Sequence, residues 1–247
     1  MRVVFLGTPE FGVAVLRSLV AAGHDVVAVV TQPDRPVGRG RQPVPPPVKQ
    51  EALRRGIPVL QPERLRDPDV IAELRRLAPE VIVVAAFGQI LPRAVLEIPT
   101  YGCLNVHASL LPKYRGAAPI AAAILAGERE TGVTIMLMEP GLDTGPILAQ
   151  RRERIRPDDT AESLGRRLAE LGGQLLVETL PGWVAGRWQP RPQDESEASY
   201  APTLRREQGH IDWSQPAEHI ARQCRAYFPW PGCYSHWDGR LVKLLAI

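Results

Sequence analysis

The chain has 247 residues, enough for one large domain or one domain with a small appendage. Its 45% hydrophobic and 23% charged content is ordinary for a globular protein, and no apolar run reaches the ~18–20 residues of a membrane helix. A formal net charge of +3 is mild, so any surface that attracts a polyanion has to be local.

Residues 1–7 read as a first β-strand. They do not read as a secretory signal, because the apolar stretch is short and Pro9-Glu10-Phe11-Gly12 follows in place of a small-residue cleavage site. Helical periodicity over residues 11–22 ends at Gly23, and residues 25–30 form a second strand. The turn Gly7-Thr8-Pro9-Glu10-Phe11-Gly12 lacks the glycine spacing of a dinucleotide loop, which counts against a nicotinamide-dependent protein. Residues 31–47 then break the pattern with six prolines, three basic residues and two glycines, and predict an extended, partly mobile loop.

Helices are predicted over residues 48–55 and 68–77, followed by a buried strand at 81–85. A strand at 104–107, a helix at 119–126 and a strand at 133–138 continue the alternation. A long helix over 160–184 closes it, with Asp158 and Asp159 favouring its N-terminal end. The fold class is therefore α/β, a Rossmann-like doubly wound, mostly parallel sheet covered on both faces. Residues 189–202 read as a linker, followed by a helix near 216–227 and a hairpin-like end at 234–246. This divides the chain into a large domain at 1–189, a linker at 190–205 and a small unit at 206–247.

The residues with chemistry in them are Asn105, His107 and Asp143. Asn105 and His107 lie two apart in an apolar run, so a strand presents both on one face, and loop-forming residues 109–116 follow. Asp143 lies in a Gly-rich loop after a second apolar run. An amide donor, an imidazole and a carboxylate supply an oxyanion donor, a proton handler and a group to orient it, which suffices for acyl transfer without a covalent enzyme intermediate. Each also has a structural use: Asn105 could cap its loop, Asp143 could form a turn, and His107 could be a bonded core histidine. Cys103, Cys224 and Cys233 are odd in number and widely spaced, which disfavours a disulfide framework and suits a reducing cytoplasm. No metal-ligand spacing is present among the cysteines and histidines. Two basic stretches, 34–49 and 151–156, read either as polyanion sites or as solvated surface.

Together, Asn105-Val-His107-Ala-Ser109-Leu-Leu-Pro112 and Leu142-Asp143-Thr144-Gly145 resemble the catalytic signature of the folate-dependent formyltransferases. Gly7-Thr-Pro-Glu-Phe11, the 31–40 loop with Pro47-Val-Lys49, Tyr114-Arg-Gly-Ala-Ala-Pro-Ile120 and Phe228-Pro-Trp-Pro231 resemble the branch of that family acting on an aminoacyl-tRNA. The resemblance covers essentially the whole chain. It implies transfer of the formyl group of 10-formyltetrahydrofolate, a co-substrate, to the α-amine of methionine on initiator methionyl-tRNA, by a cytoplasmic monomer with no membrane association. It further implies that Asn105, His107 and Asp143 are catalytic and that Ser109, Leu110, Leu111 and Pro112 bind folate, with Phe87, Gly88 and Ile90 beside the pterin. Arg35, Arg39, Arg41 and Lys49 would meet the tRNA acceptor end, arginine both pairing with phosphate and stacking on bases.

The sequence departs from the family in two places. Arg41 and Gln42 stand where two basic residues are frequent. Only 37 residues follow His210, too few for the family's five-stranded OB-like β-barrel, so the C-terminal unit is expected to be partial, with unpaired edges. Two rival readings use the same site: formylation of a nucleotide sugar or ribonucleotide, and a catalytically inactive tRNA-binding relative.

Overall fold

The computed structural model describes residues 1–37 and 42–244. Arg39 and Arg41, and Ala246 at the end of the predicted hairpin, lie outside the described residues.

In chain order, β1 is Arg2–Gly7, α1 Glu10–Ala21 and β2 Asp25–Val30. Then come β3 Arg35–Val37, β4 Gln42–Val44, α2 Pro47–Arg54, β5 Val59–Leu60 and α3 Pro68–Arg76. β6 is Val81–Ala85, α4 Arg93–Leu96, β7 Cys103–His107, β8 Arg115–Gly116 and α5 Pro119–Ala126. β9 is Glu130–Leu137, β10 Ile147–Arg154, α6 Ala161–Val184 and β11 Tyr200–Ala201. α7 Ala217–Ala226, β12 Cys233–Trp237 and β13 Arg240–Leu244 complete the described chain.

Seven strands form one sheet in the order β10-β9-β7-β6-β1-β2-β5. The five from β7 to β5 are parallel, and β9 pairs antiparallel with both β7 and β10. Both faces are buried, as the near-continuous Val, Ile and Ala runs require. In β1, Val3 and Phe5 join the core beneath α1 and α6, and Val4 and Leu6 join the opposite core with Leu74 of α3 and Val95 of α4. The chain starts at β1, moves outward through β2 to β5, returns to β6 and moves outward again through β7. The sheet therefore has its switch point between β1 and β6, and strand ends there are where open α/β sheets place ligands. α6 is capped by Thr160, whose hydroxyl accepts from the Ser163 backbone while Ser163 Oγ accepts from the Thr160 N–H. Asp159 braces the same turn: burial opposes its charge, but hydrogen bonds from Arg167, the Arg156 N–H and Ser163 outweigh it and hold its carboxyl at about 2.

Three expectations need correction. The Pro-rich stretch is not simply an extended loop, because β3 and β4 pair antiparallel with Pro36 opposite Pro43. A two-stranded ribbon gives each strand an outer edge, where a missing N–H costs nothing. Pro47 then opens α2, since an N–H is dispensable in a first helical turn. β9 begins at Glu130, three residues before the predicted 133, and the unpredicted β10 pairs with it, Arg154 opposite Glu130. The basic stretch from 151 thus starts within an edge strand, and its charges hide the strand periodicity.

The segment expected as a linker is tied down along its length. Arg191 bridges to Ile147, and Tyr200 and Ala201 pair in parallel with Arg115 and Gly116. Beyond it α7 packs on α5, and β12 and β13 form a two-stranded antiparallel ribbon, consistent with part of a barrel-like unit.

Candidate active site

Asn105 and His107 project from β7 on the face shared with buried Cys103, while Leu104 and Val106 point into the α1/α6 core. The following segment turns sharply. Ser109 Oγ donates to the Lys113 carbonyl at 2.6 Å, Tyr114 adopts a left-handed backbone (φ 60°), and its carbonyl lies 3.0 Å from His107 Nε2. A carbonyl can only accept, so Nε2 carries a hydrogen and Nδ1 is the ring nitrogen left to exchange a proton. Residues 112–118 thereby form a roof over the imidazole, which is only 6% exposed.

Asp143 comes from the loop between β9 and β10. Its Oδ1 accepts from Asn105 Nδ2 at 3.2 Å and its Oδ2 from the Gly116 N–H at 2.8 Å. His107 Nδ1 lies 3.7 Å from Oδ2, too long for a hydrogen bond but close enough for charge attraction. The Asn105 amide has to present nitrogen to Asp143, because its oxygen would face a carboxylate, and a second N–H remains on that nitrogen. Two backbone positions permit the arrangement. A Cβ on Gly145 would lie 1.9 Å from the Leu137 carbonyl, and one on Gly116 2.7 Å from that of Ala201. The fold brings together the three side chains that the sequence singles out.

The other predicted residues divide between scaffold and surface. Ser109 is fully buried, and Leu111 packs in a small cluster with Met136 and Ile147. Thr134 Oγ1 donates to the Ser109 carbonyl and accepts from the Leu111 N–H, and Gln150 Nε2 donates to the Leu111 carbonyl. Leu110 and Pro112 are half-buried. Phe87 turns its ring into the α3/α4 core, and its carbonyl accepts from Thr8 Oγ1 and Gln32 Nε2. Gly88 is exposed with φ 88°, and Ile90 is 89% exposed. Lys49 turns to Asp34, both carboxylate oxygens 2.8 Å away, and Gln61 donates to the same carboxylate. Arg35 is exposed, reaching Gln32 at 3.4 Å.

Two further residues beside the three lie in the Tyr114–Ile120 stretch, which the sequence offers only as part of a resemblance and without a role. Arg115 is fully buried and binds Gln193 and Glu195, and Gln193 in turn holds the Asp143 loop. Tyr114 donates its hydroxyl to Glu128 at 2.8 Å; burial, then this bond, pushes its acidity well below that of a free phenol. The nearby Cys103 thiol is pushed up to about 12 by burial, which makes it inert. No cluster of potential metal ligands occurs among the described residues.

The profile of the family described as formyl transferase matches residues 1–180, and that of the formyl transferase C-terminal domain matches 203–247. Methionyl-tRNA formyltransferase of Citrifermentans bemidjiense is 54% identical over 247 residues, covering all of this chain and 78% of that protein. The Chloroflexus aggregans protein of the same name is 54% identical over 246 residues, covering 80% of its own length. Among solved structures, a sugar N-formyltransferase from Shewanella superposes with a TM-score of 0.75 at 20% identity, covering 99% of this chain and 96% of that one. HypX from Aquifex aeolicus, solved with tetrahydrofolic acid, gives 0.70 at 22% identity over 99% of this chain and 37% of its own.

Proposed function

The chain belongs to the formyl transferase family, and from that premise we propose how its residues formylate methionyl-tRNA. Relatives more than half identical across the chain carry this activity in their names, whereas the sugar-modifying neighbours are distant in sequence and share only the fold. The protein transfers a formyl group to the α-amine of methionyl initiator tRNA, in a folate-dependent reaction. We assign 10-formyltetrahydrofolate as the donor, and the cytoplasm, where translation starts, as the setting.

One observation carries the assignment of roles: Asn105 and His107 converge from one strand on the Asp143 carboxylate of another loop, with all three largely shut off from solvent. An amine attacking a formyl carbon puts negative charge on the formyl oxygen, and the attacking nitrogen must lose a proton. The second N–H of Asn105 stabilises the oxygen. His107 Nδ1, facing Asp143, is where a proton is held and moved, and Asp143 orients both partners. One such donor is worth roughly 3–4 kcal/mol, by the measured cost of removing an oxyanion donor. No nucleophilic side chain is required, because the folate nitrogen leaves once protonated.

The folate brings the formyl group. Its flat heterocycle suits the exposed apolar side chains on the flanking loops, Ile90 after β6 and Leu142 beside Asp143. The backbone of Gly88 and the half-buried Leu110 and Pro112 complete that surface in our reading, with Phe87, Ser109 and Leu111 as its buried supports. For the tRNA, the contacts we propose remain Arg35 on β3, together with Arg39 and Arg41. Lys49 contributes by fixing the base of the β3–β4 ribbon through Asp34. A large polyanionic acceptor also suits an open cleft of ≈ 500 Å³ between the β9–β10 end and α7. Arg129, Arg154, Arg156, Arg222 and Arg225 line it against Glu128 and Glu218, and the buried Nε of Arg222 has no hydrogen-bond partner among the described residues. We take residues 1–189 as the catalytic domain and 206–247 as the tRNA-binding unit.

The test offers the protein methionyl-tRNA or an amino-sugar nucleotide with 10-formyltetrahydrofolate and reads formylation by mass spectrometry. Formyl-methionine on the tRNA is the expected product. A formylated sugar with unmodified tRNA would refute the reading.

A further inference from the structure

Two non-glycine residues in the site have left-handed backbones, Tyr114 (φ 60°) and Asp143 (φ 54°). Aspartate tolerates that region, but a tyrosine there is strained and needs outside support. Both receive it from one segment, residues 191–201, which crosses both loops.

On the roof over His107, Ser199 Oγ accepts from the Tyr114 N–H at 2.9 Å, and the Ser199 carbonyl accepts from the Arg115 N–H at 2.8 Å. The Ser199 N–H donates to the Pro112 carbonyl, and the Ala201 carbonyl accepts from the Ala118 N–H. On the other loop, Gln193 Nε2 donates to the carbonyls of Asp143 (2.8 Å) and Gly145 (2.7 Å). The opposite end of that amide, Oε1, accepts from Arg115 Nε (3.0 Å) and Nη2 (2.9 Å). Arg115 is fully buried and is held from its far side by Glu195 at 2.9 and 2.7 Å. A single carboxamide thus links the loop that carries Asp143 to the roof that carries His107's acceptor.

We propose that Gln193 and Arg115 are positioning residues for formyl transfer, and that segment 191–201 is a clamp that sets the His107–Asp143 geometry. The inference rests on the function proposed above. A group that only stabilised the fold would change the amount of active enzyme; a positioning group changes the rate of each folded molecule, because small misplacements of reacting groups cost rate. Gln193→Glu separates the two. It keeps an acceptor for Arg115 but loses the N–H donors and sets a carboxylate against two carbonyl oxygens.

Steady-state kinetics with both substrates and thermal melting are measured on wild type, Gln193→Glu and Ser199→Ala. The clamp predicts that Gln193→Glu lowers kcat on the order of 10- to 100-fold, with both KM values within about threefold of wild type. Ser199→Ala, which loses only the hydroxyl beside the Tyr114 N–H, should lower kcat several-fold in a well-folded protein, and it decides the matter if Gln193→Glu does not fold. Wild-type kcat in folded Gln193→Glu, or in Ser199→Ala, would overturn the clamp. A wild-type protein that formylates no tRNA would instead overturn the underlying function, so the two failures are distinguishable.

Discussion

The proposed catalytic centre and the basic surface of this protein are built on opposite principles. Around Asn105, His107 and Asp143 the polar groups are paired, the side chains are nearly buried, and two loops are braced by a third segment. On β3, Arg35 stands in solvent, and in the cleft beside α7 arginines outnumber carboxylates. Stabilising a transient charge needs donors fixed before the charge appears, in a site that excludes water. Holding a polyanion needs only cations within reach of it, which move and are screened by salt. Substitutions in the first region should therefore act on kcat, and those in the second on KM and its salt dependence.

The largest effect that could break this division is at Asp143. Asp143→Asn removes the charge facing His107 and the anionic acceptor of two hydrogen bonds. Steady-state assays should show kcat lower by about 10²–10³-fold with tRNA KM little changed; a large KM effect would mean that the centre binds as well as reacts.

Next comes Glu51, which ties α2, the helix after the basic ribbon, to Arg17 of α1. Its buried carboxylate takes hydrogen bonds from Arg17 and Arg55 and pairs with Arg54, and it is drawn down from 4.5 to about 2, chiefly by Arg17. Because the folded value is depressed, the stabilisation is complete above pH 4.5 and is lost as pH falls from there to about 2. Glu51→Gln should cost on the order of 2–3 kcal/mol at neutral pH, and denaturant melts should show the gap closing across that window, with kcat unchanged.

A smaller loss is expected from Gly116→Ala. The new Cβ would sit 2.7 Å from the Ala201 carbonyl on a backbone with φ 112°, at the residue whose N–H binds Asp143. The strain exceeds about 1 kcal/mol, so Tm should fall by a few degrees and kcat by more than the stability loss explains. Smallest is Arg222→Ala in the cleft. It should raise the tRNA KM several-fold and reduce the slope of log affinity against log salt by about 1, with kcat unchanged. An unchanged slope would remove the cleft from the tRNA path.

Much of this was legible in the sequence because it depends on local period. The two-residue spacing of Asn105 and His107 fixes a shared strand face, and glycines flank Asp143 where its loop must bend. The alternation of apolar runs gives the sheet and its helices. What was not legible depends on partners far along the chain. Gln193 sits in a Pro-rich stretch that reads as linker, and nothing local announces that its amide spans two loops 48 to 78 residues away. Arg115 looks like a surface cation until Gln193 and Glu195 enclose it. β10 was hidden by the charges an edge strand carries outward, and Lys49 looked free for tRNA because its partner Asp34 is 15 residues earlier.

The most direct test of the account is rapid-quench, single-turnover formylation by His107→Gln, with folate and tRNA occupancy measured on the same samples. The account predicts both substrates bound as in wild type and the transfer step slowed by about 10²–10³-fold. Transfer within a few-fold of the wild-type rate at full occupancy would contradict it, because the imidazole facing Asp143 would then take no part in the chemistry.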